Sequence, residues 1–180
     1  MNGFRTELVN KIIGFNAHMT VKPYENKIAQ EKLNNQNLKS ISESSIFSNS
    51  GEGIMIKKDI TKGILLRGYF AKDFSKLDIV NNGNFLGGEN KLSNNSISIS
   101  KELSFSLNLE IGDEITLMSS SGVQTIVGSL PKQKKFTVVS LFDSGVIDFD
   151  NNVAFINLVT LEEFFNLKPK KRNLEIYLKN

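Results

Sequence analysis

The sequence predicts an α+β protein, and three features carry that prediction. Short runs rich in β-branched and aromatic residues outnumber the stretches with helical spacing, the two kinds do not alternate as in a βαβ chain, and no repeat at a fixed period is visible. At 180 residues and 20.1 kDa, the chain is long enough for one domain or two small subdomains with a buried core.

The elements follow in order. Phe4, Leu8, Ile12 and Phe15, with Val9 and Ile13 beside them, recur at helical spacing around Gly14, which predicts a helix over residues 2–13. Residues 17–21 alternate as a short strand, and Pro23 opens a second helix to about residue 34, with Ile28 and Leu33 facing inward. Residues 38–47, 53–58 and 63–70 are β-like runs separated by Gly, Ser and Asp. Residues 74–86 read as a short helix or loop closed by Asn82-Gly83, and a polar excursion between Gly87-Gly88 and Asn94-Asn95 leads to a strand at 96–99. Ser100 is placed to cap a helix over 101–107. Residues 114–119 and 135–142 form the arms of a hairpin around a long loop, 120–134, which contains Gly122, Gly128 and Pro131. A strand at 153–158, a helix over 161–167 capped by Thr160 and ended by Pro169, and a strand at 174–178 complete the pattern.

Composition removes several function classes. The net charge of +3 is small and evenly spread, and all but three of the 22 basic residues are Lys, the exceptions being Arg5, Arg67 and Arg172. Nucleic-acid binding, which favours a concentrated positive face and the planar Arg fork, is not expected. The absence of Cys excludes disulfides, thiol nucleophiles and thiolate metal sites. No apolar run approaches the roughly 20 residues of a membrane-spanning helix, and no signal-peptide pattern precedes the fold. Because the chain opens directly in helical pattern, it is expected to be a piece of something longer.

The chemistry-bearing residues are few. His18 is the lone histidine and is read as a satisfied side chain at a helix-to-strand corner rather than as a base. Asp143, Asp148 and Asp150 are the best carboxylate cluster, with Asp148 and Asp150 on one face of a strand if the segment is extended. A hydrolase using them is the least favoured reading, since turn residues between strands explain the same pattern. Neither Gly87-Gly88 nor Gly51-x-Gly53 is followed by a Lys-Ser/Thr pair, and both are read as turns. Lys132, Lys134 and Lys135 with Lys168, Lys170 and Lys171 describe a basic surface, either simply solvated or facing an acidic partner. The 120–134 loop keeps Val123, Ile126, Val127 and Leu130, which are costly to expose. A docking partner covers them, or the loop folds back on the domain.

Several segments carry a family resemblance. They are Met1-Asn2-Gly3-Phe4-Arg5-Thr6-Glu7-Leu8 with Ile12-Ile13-Gly14-Phe15-Asn16-Ala17-His18, Ile64-Leu65-Leu66-Arg67-Gly68, and Ser100-Lys101-Glu102-Leu103 through Leu109-x-Ile111-Gly112-Asp113. Gly128-x-Leu130-Pro131 through Phe136-x-Val138-Val139 follows, then Phe142-x-Ser144-Gly145 through Phe149-Asp150 and Phe155-Ile156. In this order they resemble the periplasmic domain of the LolC/LolE family, the membrane subunits of the lipoprotein-releasing ABC transporter of Gram-negative bacteria.

The resemblance implies a MacB-like periplasmic fold. Residues 1–70 would be the first segment of a mixed α+β membrane-proximal subdomain, 71–150 a β-rich subdomain with its projecting hairpin loop at 120–134, and 151–180 the return segment. It also implies a non-catalytic component, without cofactor or metal, at the periplasmic face of the inner membrane. ATP would be hydrolysed by a separate cytoplasmic ATPase, LolD, beside a second permease subunit, and lipoprotein cargo would pass to the carrier LolA. The carrier-docking residues implied are Val123, Gln124, Ile126, Val127, Gly128, Leu130 and Pro131, with Gln133 and Lys134 on a supporting patch. Helix 2–13 would carry motion from the membrane. The chain departs from the family at Ser100, where Gly is usual, and at Thr116 and Lys134, where LolC-like members show Arg. It also stops where the family continues with a helix and a strand, so a truncated domain is expected. The alternative is the periplasmic domain of another MacB/FtsX-type permease, in efflux or cell-envelope regulation.

Overall fold

Two strands organise the molecule by changing partners along their length. A computed structural model of the chain describes residues 16–23, 40–81, 84–125 and 128–179. The helices expected over 2–13 and 23–34 fall on residues outside that set, Pro23 apart. The described strands are β1 (Met19–Val21), β2 (Ser42–Lys57), β3 (Ile60–Tyr69), β4 (Phe85–Gly88), β5 (Ser96–Ser100), β6 (Glu114–Thr125), β7 (Gly128–Phe142), β8 (Val153–Asn157) and β9 (Asn173–Leu178). The helices are α1 (Ala71–Phe74), α2 (Asp78–Asn81), α3 (Lys101–Leu107), α4 (Ile147–Asn152) and α5 (Leu158–Phe165), with a 3-10 turn at Pro169–Lys171.

One edge of β2 pairs with β3; its other edge pairs first with β9 and then, from Gly53, with β6. β7 likewise takes β5 on one edge and β6 followed by β4 on the other. With β3 parallel to β8 and β8 antiparallel to β5, the pairing β2-β3-β8-β5-β7-β6 returns to β2, closing a ring of strands with no free edge at those joints. β1 and β9 extend from the first half of β2.

The ring has two apolar sides because its strands alternate. Met55, Leu66, Ile97, Ile99, Ile115, Leu117, Phe136, Val138, Ala154 and Ile156 share one buried cluster with Leu103 and Leu107 of α3 and with Leu161, Phe164 and Phe165 of α5. The alternate residues Val153 and Phe155 belong to a second cluster with Ile46, Tyr69, Phe74, Leu92 and Phe142. There the Phe155 ring lies 5.1 Å from Phe142, 5.7 Å from Phe74 and 5.9 Å from Tyr69. β8 is thus covered on both faces, which is why Val153-Ala154-Phe155-Ile156 is continuously apolar.

α3 forms as its sequence requires: the Ser100 hydroxyl accepts the Leu103 N–H at 3.0 Å, and Asn108 closes the helix in the left-handed conformation. Other expectations are corrected. No turn interrupts residues 47–53; β2 runs through them, and Gly51 and Gly53 serve close packing. A Cβ on Gly51 would meet the Phe165 ring at 2.6 Å. Gly87 and Gly88 lie in β4, where a Cβ on Gly88 would stand 2.1 Å from the Val139 carbonyl oxygen. Asp148 and Asp150 sit on α4, not on a strand. α5 begins at Leu158, capped by Asn157, whose side-chain oxygen accepts the Val159 N–H at 3.0 Å, while Thr160 lies inside the helix and donates to the Asn94 carbonyl.

Candidate functional site

Among the described residues, the segment expected as a long loop is a paired ribbon. β6 and β7 match from Glu114↔Thr137 to Met118↔Gln133 and then, after a register shift, from Gly122↔Pro131 through Val123↔Leu130 and Gln124↔Ser129 to Thr125↔Gly128. β-branched Val123 and Thr125 favour extension, and the Gly and Ser content that argued for a loop marks the irregularity instead. β6 takes four steps from Met118 to Gly122 where β7 takes two from Gln133 to Pro131, so β6 carries a bulge opposite Lys132. Pro131 is tolerated beside this break in the ladder. Ser119 is the last β6 residue paired to β2, opposite Gly53, and beyond it β6 keeps only β7 as partner. The far half is therefore a two-stranded ribbon leaving the ring.

The expected site residues fall along it. Leu130 is 58% exposed, and Gly128, Pro131 and Gln133 are exposed. Val123 and Gln124 are placed by register, and Ile126 and Val127 lie outside the described residues. Lys134 donates to the Asn94 carbonyl at 3.2 Å and sits 5.4 Å from the Phe136 ring centre. Lys135 pairs with Glu114 at 3.1 Å. At the ribbon's root a groove of about 610 Å³ is lined by Ile54, Gly63, Leu65, Met118 and Pro131, with Glu52 and Asn152 among its polar residues.

Two of the carboxylates expected as a cluster, Asp143 and Asp150, hold the turn before α4 through backbone N–H groups. Asp143 accepts the Gly145 N–H at 2.9 Å, Asp148 is exposed, and Asp150, only 2% exposed, accepts the Ser144 N–H at 3.1 Å. Burial raises the Asp150 carboxyl from its ordinary value, against the Ser144 bonds that favour its charged form, and the nearby Asp143 charge adds to the rise. Among the described residues no three His, Cys, Asp or Glu side chains are grouped to hold a metal ion. His18 is exposed, and its Nδ1 accepts the Leu178 N–H at 3.2 Å, the satisfied corner its position predicts.

Sequence reasoning missed the main buried polar centre. Glu175 on β9 accepts from Arg67 Nη2 at 3.0 Å, Ser48 Oγ at 2.6 Å, Tyr69 OH at 2.9 Å and Tyr177 OH at 3.1 Å. Arg67 Nη1 also donates to the Asn16 side chain at 2.9 Å, tying the segment before β1 to the middle of the sheet. Burial disfavours the guanidinium's charge, but the facing Tyr69 and Glu175 oxygens outweigh it and raise its pKa, while burial first of all pushes the Tyr69 phenol well up. The available signal was a charged residue inside each of two apolar strand runs, Leu66-Arg67-Gly68-Tyr69 and Leu174-Glu175-Ile176-Tyr177.

Among the described residues no helix is long and apolar enough to cross a membrane. No protein-family model matches the chain. It is 23% identical to the lipoprotein-releasing system transmembrane protein LolC of Neisseria meningitidis serogroup B, over 99% of this chain and 44% of that protein. It is 31% identical to LolC of Xylella fastidiosa over 72 residues, 40% of this chain and 17% of that protein. The chain thus spans less than half the length of these relatives. In fold it is similar to the periplasmic region of MacB from Actinobacillus actinomycetemcomitans, with a TM-score of 0.55 and 12% identity over 87% of this chain and 67% of the other. It is also similar to the extracellular domain of the ABC-type transporter YknZ from Gram-positive bacteria, with a TM-score of 0.52 and 11% identity over 90% of this chain and 84% of the other. Sequence relatives and fold agree with the resemblance read from the motifs: the chain is similar to LolC proteins in sequence and to the MacB and YknZ periplasmic or extracellular domains in fold.

Proposed function

We propose that this chain serves lipoprotein release at the periplasmic face of the inner membrane, and that its β6–β7 ribbon docks the carrier LolA. The observation that supports this best is the exposed Leu130 on a two-stranded ribbon that leaves the ring after Ser119. An apolar side chain held out in this way is accounted for when a partner covers it. In this reading Val123, Gln124, Ile126, Val127, Gly128, Leu130 and Pro131 form the contact, and Gln133 and Lys134 at the root orient the carrier. The domain itself performs no chemistry. A cytoplasmic ATPase, LolD, drives the cycle, a second permease subunit completes the membrane part, and the lipoprotein cargo passes over this domain to LolA. A second reading, a domain of another MacB/FtsX-type permease, is favoured by the fold likeness to the MacB periplasmic region.

Titration of the purified chain with LolA tests the reading. Leu130→Asp places a charge in the contact and is expected to weaken binding about thirtyfold or more, the loss typical of a buried apolar anchor. Absence of binding by the folded wild-type chain rejects the docking role and leaves the second reading.

A further inference from the structure

A bulge removes ladder hydrogen bonds, so the backbone alone does not hold the angle at which the ribbon leaves the ring. Lys132 lies on β7 at that point, opposite the irregular stretch of β6 and between Pro131 and Gln133. Its Nζ donates to the Glu163 carbonyl at 2.8 Å and to the Asn166 side-chain oxygen at 2.5 Å. Both acceptors belong to the last turn and cap of α5, where the carbonyls lack helical partners and the helix carries its negative end. Asn166 itself closes the helix in the left-handed conformation.

α5 is a fixed post for this contact. Leu161, Phe164 and Phe165 are buried in the ring's core, with Phe164 edge-on to Phe136 of β7 at 6.2 Å. On another side Arg172 forks onto Glu162, with Nε to Oε1 at 2.7 Å and Nη2 to Oε2 at 2.6 Å, and its guanidinium lies 5.0 Å from the Phe70 ring centre. The turn leading into β9, α5 and the root of the ribbon are thereby joined through side chains.

We infer that Lys132 is a positioning residue: by clamping β7 to the C-terminal end of α5, it fixes the direction in which the ribbon leaves the ring. Its consequence for carrier binding rests on the docking role proposed above. Without the clamp the ribbon swings about the bulge, and a partner must order it on binding, which lowers affinity without removing any contact.

The absence of Cys allows clean labelling. Spin labels at Ser129→Cys and Lys101→Cys report the distance from ribbon to ring, and unlabelled protein is titrated with LolA. Lys132→Ala and Asn166→Gly are each expected to broaden the distance distribution and to weaken carrier binding about fivefold, the scale of one cation at a helix C-terminus. Lys132→Arg is expected to restore both. A distribution in Lys132→Ala as narrow as in the wild type overturns the inference whatever the carrier does. Broadening in a chain that never binds LolA leaves the clamp standing and removes the docking role instead.

Discussion

Replacing Glu175 by Leu tests the buried polar centre most directly. Glu175 is 5% exposed and receives one guanidinium and three hydroxyl groups. Leu carries no charge and accepts no hydrogen bond, so the substitution removes the acceptor at the centre of the site. It leaves the Arg67 charge buried without its counterion, and removing one partner of a buried pair costs about 3–5 kcal/mol. The hydroxyls of Ser48, Tyr69 and Tyr177 lose an acceptor at the same time, each worth about 1–3 kcal/mol where no other partner replaces it, so the upper end of the range is expected. For a chain of this size about 2–4 °C of Tm accompanies each kcal/mol, which gives a fall of about 10–20 °C. Thermal and urea melts followed by circular dichroism measure it. Arg67→Met made in the Glu175→Leu background removes the stranded charge, and the double variant is expected to regain at least about 2 kcal/mol relative to strict additivity. A loss below about 1 kcal/mol for Glu175→Leu, or fully additive costs, would refute the claim that the pair depends on mutual compensation in a buried site.

Two further outcomes follow from local geometry. Because burial raises the Asp150 carboxyl, the folded state binds more protons than the unfolded state between the unfolded and folded pKa values, so stability falls as pH rises through that window and returns on acidification. Urea midpoints across the acidic range should show this segment in the wild type and lack it in Asp150→Asn, and an unchanged profile would contradict the assignment. Gly88 has φ +93 and no room for a Cβ, whereas nothing lies within 4 Å of a Cβ built on Gly63. Gly88→Ala should cost roughly 2–4 kcal/mol and Gly63→Ala no more than about 0.5 kcal/mol, as compared in paired melts.

The family resemblance and the local elements were legible in the chain because both rest on neighbouring residues. Ser100 before Lys101-Glu102-Leu103 carries its own cap chemistry, and the alternation of Asn173-Leu174-Glu175-Ile176 carries its own strand period. The apolar residues of the hairpin stood out in the same way, through their presence among Gly and Ser.

Tertiary structure decided what depends on distant partners. Gly51 reads locally as a turn, and only the Phe165 ring, brought in on α5, makes it a close-packing position inside a strand. Residues 120–125 and 128–134 read as loop until each supplies the other's ladder, since a strand's hydrogen bonds belong to another segment while a helix's are internal. The same reason hid the partner exchanges of β2 and β7 that close the ring, and the meeting of Arg67 with Glu175 across 108 positions of chain. Sequence by itself determined which residues are apolar and which family the chain resembles; the long-range pairing alone determined which charges are buried together and where the ribbon stands.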